Sequence, residues 1–253
     1  FVITIHDMIH ERFPNFLSDK KTKEYKKLLA LKSKKIIAVS ENTKKDILSF
    51  YKEIPEKKIE VVYHATDLTY QESPPIIREP YILYVGERHT YKNFLFFLSS
   101  IKDILIQENI SLVCAGGPPF TKSEIKYSTD QNIDERIKHV TISSDTGLAN
   151  LYHYALAFCY PSLYEGFGIP ILEAFNCGCP VLLSNTSCFP EIAHDAALYF
   201  DPQNSESIKE TLTFVLKNKS YRDVLIQKGY QRISFFSWEK SSYLTANIYN
   251  KCV

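Results

Sequence analysis

The chain has 253 residues, of which 45% are hydrophobic and 23% charged, and its formal net charge is +1. These values fit an ordinary globular protein of one large or two modest domains and give no overall attraction to nucleic acid. No apolar run reaches the length of about eighteen residues that a membrane-spanning helix needs.

The opening FVITIHD is apolar but lacks a basic leader and a cleavage site, so it reads as a buried strand over 1–5 and not as a signal peptide. Because it starts without a methionine, the chain is expected to begin partway into a longer unit. His6 and Asp7 stand at the carboxyl end of this strand, where open α/β sheets place ligands. A metal reading of His6, His10 and Glu11 is weaker, because four-residue spacing suits a helix and the segment reads as a loop.

A helix is expected from Ser18 to about Ser33, with Tyr25, Leu28 and Leu29 on one face. Eight lysines, at 20, 21, 23, 26, 27, 32, 34 and 35, crowd the segment. They leave two alternatives open, a solvated face or peripheral contact with anionic lipid through residues 18–35. Strand 35–39 then runs into Ser40, which caps a helix, and strand 59–63 follows. The order β-α-β-α-β is half of a doubly wound sheet. Residues 68–80, with Pro74, Pro75 and Pro80, read as a linker.

A second unit, complete in itself, follows from Tyr81. Strands are expected near 81–85, 111–115, 137–141, 157–160, 180–184 and 197–200, with helices between them. Asn93 or a neighbour caps the helix FLFFLSSI, and helices over 205–216, 221–235 and 238–250 close the chain. The six cysteines lie mostly in apolar contexts and read as buried free thiols, which favours a reducing cytosol.

The most informative stretch is YPSLYEGFGIPILEAF, residues 160–175. A buried strand ends at Pro161, Glu165 precedes the turn Gly166-Phe167-Gly168, and Ile169-Pro170 opens a helix that carries Glu173. Glycines admit close backbone approach, and the unpaired N–H groups of a first helical turn suit a diphosphate. Carboxylates repel phosphate, so the two glutamates are better placed to accept hydrogen bonds from hydroxyl groups on either side of it. A sugar nucleotide has that layout.

With CGCPVLLSNTSCFPEIAHDAALYFDP after it, this motif closely resembles the retaining glycosyltransferases of family four, an α/β architecture of two Rossmann-like domains known as GT-B. The TIHD and YVG…KN patterns resemble mannosyl and related transferases of surface polysaccharide assembly. The resemblance covers nearly the whole chain. It implies residues 1–67 as the carboxyl-terminal half of the first, acceptor-side domain, 68–80 as the linker, 81–235 as the nucleotide-sugar domain, and 236–253 as a helix crossing back to the first domain.

It further implies transfer of a hexose from a nucleoside diphosphate sugar to a glycan or lipid-linked acceptor, without a cofactor. Glu165 would hold the hexose and Glu173 the ribose, with His6 touching the hexose from across the cleft. Gly166, Phe167, Gly168 and Ile169 would form the diphosphate turn, and the segment at Ile142 would meet the base through its backbone. Lys92 matches the family lysine that neutralises the diphosphate. The arginine usual just before it is Tyr91 here, and the one usual after the glycine is Glu87, so Arg88 would have to substitute or the site is one charge short. His64-Ala65 replaces the usual Asn-Gly. No Asp-x-Asp occurs, which argues against a Mg²⁺-held diphosphate.

A sugar-nucleotide epimerase and a non-catalytic sugar-nucleotide-binding module remain the alternatives. The location implied is cytoplasmic, with or without peripheral attachment to the inner membrane surface. A three-stranded first sheet would leave an apolar edge, so a homodimer or a sticky monomer is expected unless the edge is covered.

Overall fold

The computed structural model describes residues 1–15, 19–88 and 90–252. Its elements in order are β1 (Val2–Ile5), α1 (Ile9–Arg12), α2 (Lys20–Lys32), β2 (Lys35–Ala38), α3 (Glu41–Phe50), β3 (Ile59–Val61), β4 (Tyr81–Val85), α4 (Phe94–Gln107), β5 (Ser111–Ala115), α5 (Lys122–Asp130), β6 (Ile137–Val140), α6 (Asp145–Tyr154), β7 (Phe158–Tyr160), α7 (Ile169–Asn176), β8 (Val181–Ser184), α8 (Phe189–Ala193), β9 (Ala197–Phe200), α9 (Ser205–Lys217), α10 (Lys219–Ile233) and α11 (Trp238–Asn250).

Two all-parallel sheets result. The first has the order β1-β2-β3 and the second β6-β5-β4-β7-β8-β9. Parallel strands covered by helices on both faces must be apolar almost throughout. Accordingly β5, β7 and β8 are buried at every position. The second order is the doubly wound one, and it reverses between β4 and β7, so the loops after those two strands diverge and open a crevice.

The two sheets meet at their carboxyl ends. A side chain on Gly166 would collide with the His6 carbonyl oxygen, so the glycine is required for domain contact. The Gly166 carbonyl accepts from the hydroxyls of Ser40 at 2.6 Å and Thr43 at 3.1 Å. Tyr164 donates to Asp46 at 2.6 Å, and Arg12 completes the cluster, also 2.6 Å from Asp46. Helix α11 returns to the first sheet, where Ile248 and Leu244 pack on Ile37, Val62 and Val2.

Several expectations need correction. Residues 9–12 form one helical turn and not a loop. Helix α2 begins at Lys20 behind Asp19, whose carboxylate accepts from the Lys21 and Thr22 amides; Ser18 lies outside the described residues. Tyr25, Leu28 and Leu29 are all exposed, and Ala30 is the helix's buried position. Asn93 occupies the N-cap of α4 but does not cap it: its side chain donates to the Pro202 carbonyl at 2.8 Å. Residues 68–80 have no regular structure yet are fastened to the second sheet's helices. Tyr70 lies flat on His153 at 3.6 Å, and the Asn150 amide bonds Ile76, Ser73 and Pro74.

Candidate active site

The loops at the strand reversal carry the charged groups. The loop after β4 turns on Gly86, at φ 111°, and delivers Lys92 through a short 3-10 turn. The loop after β7 delivers Glu165. Lys92 Nζ lies 2.7 Å from Glu165 Oε1, and both side chains are largely buried, at 16% and 11% exposure. Tyr91 and Tyr160 place their rings 5.2 Å and 5.6 Å from the same ammonium. The Glu165 amide donates to Ser187 Oγ at 3.2 Å, which ties this loop to the one after β8.

Beyond Glu165 the chain turns through Gly168, at φ 87°, a left-handed conformation that a side chain would strain. Helix α7 starts there with Pro170 in its first turn. The Ile171 amide closes back on the Gly168 carbonyl, and the Gly168–Ile169 edge is left at the positive end of the helix. Glu173, on the next turn, accepts from the Tyr152 hydroxyl at 2.9 Å. Burial pushes its carboxyl above the usual carboxylate range; the Tyr152 bond opposes this and the charge of Asp145 adds to it. Glu173 opens into a cavity of about 430 Å³ shared with Ile169, Asp67, Asp145, Gln71 and Trp238.

His6 arrives from the opposite sheet, where its carbonyl abuts Gly166. Its ring lies beside that of His64, nearly parallel, with centroids 5.4 Å apart. Phe167 is buried against Tyr63, His64 and Phe236. Ile142 packs on the core beside Gly116. The loop glycines thus bring together Glu165, Lys92 and the start of α7, with Glu173 one helical turn on and the His6 backbone against Gly166.

Arg88 is not brought to this cluster. Its guanidinium donates to Glu124 at 2.9 Å and to the Pro118 carbonyl at 2.6 Å, and it lies over the Phe120 ring at 4.6 Å. Of the two, Lys92 is therefore the cation beside Glu165.

Two residues escaped the sequence reading. Glu191, on the short helix α8, accepts through its carboxylate from the Glu41 and Asn42 amides at 2.7 Å and 2.9 Å, capping α3 across the domain boundary. A partner 150 positions distant leaves no local signal. Trp238 is 42% exposed and walls both the Glu173 cavity and a second one beside His6.

Two parallel Rossmann-like sheets meeting at their carboxyl ends, with an acid, a lysine and a bare helix start at the strand reversal, define a glycosyltransferase of the GT-B fold. Solved structures agree on the fold. HepE from Anabaena, in complex with UDP and glucose, superposes with a TM-score of 0.84 at 15% identity, covering 98% of this chain and 71% of that one. Sucrose-phosphate synthase from Thermosynechococcus elongatus gives 0.78 at 20% identity, over 99% and 67%.

The chain belongs to the glycosyl transferases group 1 family, whose model matches residues 67–232; that of glycosyltransferase family 4 matches residues 1–70. Among its relatives, O-antigen chain mannosyltransferase B of Escherichia coli is 28% identical over 98% of this chain and 69% of its own length. O-antigen chain mannosyltransferase RfbU of Salmonella typhimurium is 29% identical over 81% of this chain and 58% of its own. The chain therefore spans roughly three-fifths to seven-tenths of the length of these relatives.

Proposed function

We propose that the chain holds the donor site of a retaining transferase that moves a hexose, mannose being the favoured one, from a nucleoside diphosphate sugar to a glycan or lipid-linked acceptor. The observation that carries this is the Lys92–Glu165 pair set against the start of α7 at the strand reversal. Hexose hydroxyls would replace Lys92 as donors to Glu165. That releases the ammonium toward the diphosphate, where the helix dipole also favours negative charge. Ribose hydroxyls would enter the cavity at Glu173, and the His6 ring would meet the hexose from the opposite domain. Mannose as the sugar rests on the names of the relatives, and retention on the motif resemblance.

The leaving diphosphate would be carried by Lys92 and the helix start without a metal. The missing Asp-x-Asp supports this. The acceptor would approach from the first domain. Peripheral contact with the inner membrane surface is supported by the exposed Tyr25, Leu28, Leu29 and Leu31 on a helix that also bears exposed lysines. Among the described residues no helix is long and apolar enough to cross a membrane. A homodimer formed through an open edge of the first sheet belongs to the same reading.

Calorimetric titration with a panel of nucleoside diphosphate hexoses, each with and without a chelator, tests it. One donor should bind at least at micromolar level, roughly −8 kcal/mol, and unchanged by the chelator. Failure of every donor would reject the proposal.

A further inference from the structure

We propose that His64 is a positioning residue for His6, holding its ring through Nδ1 so that Nε2 is the nitrogen presented to the donor. The proposal rests on the reading above, in which His6 meets the hexose. His6 ends β1 and His64 follows β3, so the two reach each other across the carboxyl edge of the first sheet. Their ring planes lie within 16° of parallel with centroids 5.4 Å apart, side by side, and His64 Nε2 lies 3.3 Å from His6 Nδ1.

A neutral imidazole has one N–H and one lone pair, so this bond needs a donor on one ring and an acceptor on the other. In the proposed arrangement His64 Nε2–H donates to His6 Nδ1, so His6 keeps its own proton on Nε2, the nitrogen left over. His64 is itself held fast. It lies edge-on to Phe167 at 5.2 Å and 81°, and 5.9 Å from Trp238. Phe167 belongs to the same turn as Glu165, so the ring that orients His6 packs directly against the donor turn.

Burial, with the charge of His6 adding, lowers the His64 pKa and favours the neutral ring. The neighbouring cavity wall presents Glu239, Tyr63 and Tyr249 as the other titratable groups on this side. A ring at position 64 that only filled space would leave the His6 tautomer free.

The test compares His64→Phe, which keeps an aromatic ring at the position but has no ring nitrogen, with His64→Gln, whose amide nitrogen can occupy the place of Nε2. Ring-nitrogen NMR of His6 on the ligand-free chain should show one fixed tautomer in the native protein and in His64→Gln, and a tautomer mixture in His64→Phe. His64→Phe should weaken the nucleoside diphosphate hexose by about fivefold, the worth of one neutral hydrogen bond, while bare nucleoside diphosphate binds as before. His64→Gln should recover the loss. Unchanged His6 shifts in His64→Phe, or a His64→Gln variant as weak as His64→Phe, would overturn the proposal. The NMR comparison uses no ligand, so it decides the histidine pair even if no donor binds.

Discussion

Lys92 and Glu165 come from loops 73 residues apart and meet at 2.7 Å, so without a donor each is the other's counter-charge. Removing one partner strands the other in a largely dry place. Lys92→Met should lower stability by roughly 1–3 kcal/mol, and pairing it with Glu165→Gln should restore most of that. Denaturant unfolding of the two single variants and the double variant measures the coupling. Simple additivity would show that the contact contributes nothing.

The same lysine should discriminate among ligands. Lys92→Ala should cost affinity for the nucleoside diphosphate more than for the nucleoside, and added salt should shrink the gap. An unchanged diphosphate affinity would return Lys92 to a purely structural pairing with Glu165.

Glu173 carries a pH signature. Its folded pKa is raised, chiefly by burial, so above that pKa the ionised carboxylate costs stability, and the cost fades as pH falls from the raised pKa to the ordinary carboxylate range. Glu173→Gln should therefore stabilise the protein near neutrality and lose that advantage on acidification. Nucleoside diphosphate affinity should fall over the same window, between neutrality and the ordinary carboxylate range, because a protonated carboxyl accepts fewer hydrogen bonds. Thermal unfolding and calorimetry across that range check both; a flat affinity would remove Glu173 from the ribose.

Glu191 predicts how the domains are latched. Its carboxylate serves as the anionic cap of α3, so Glu191→Ala should cost about 1–2 kcal/mol. The Glu41 and Asn42 amides should exchange faster with solvent. Gly166→Ala should be harsher, since the added methyl meets the His6 carbonyl and forces the sheets apart.

What could be read in advance follows from range of interaction. Buried parallel strands announce themselves as short apolar runs, and glycine turns before helices have local signatures, so the two sheets and the Glu165–Glu173 turn were legible. Contacts that depend on chain closure were not. Gly166 was read as making room for a ligand, yet its missing side chain makes room for the His6 carbonyl of the other domain. Arg88 was read as a stand-in for a diphosphate arginine, and the structure pairs it with Glu124, 36 residues on. Helix α2 shows the remaining limit: its apolar residues imply a covered face, but Tyr25, Leu28 and Leu29 are exposed.

The division of labour between the two glutamates is the centre of this account, and calorimetry on the full chain tests it most directly. Glu173→Ala should weaken bare nucleoside diphosphate by about 1.5–3 kcal/mol, the worth of a lost charged hydrogen bond. Glu165→Ala should leave that binding nearly intact and weaken only the intact donor. Equal losses of nucleoside diphosphate affinity in the two variants would contradict the assignment.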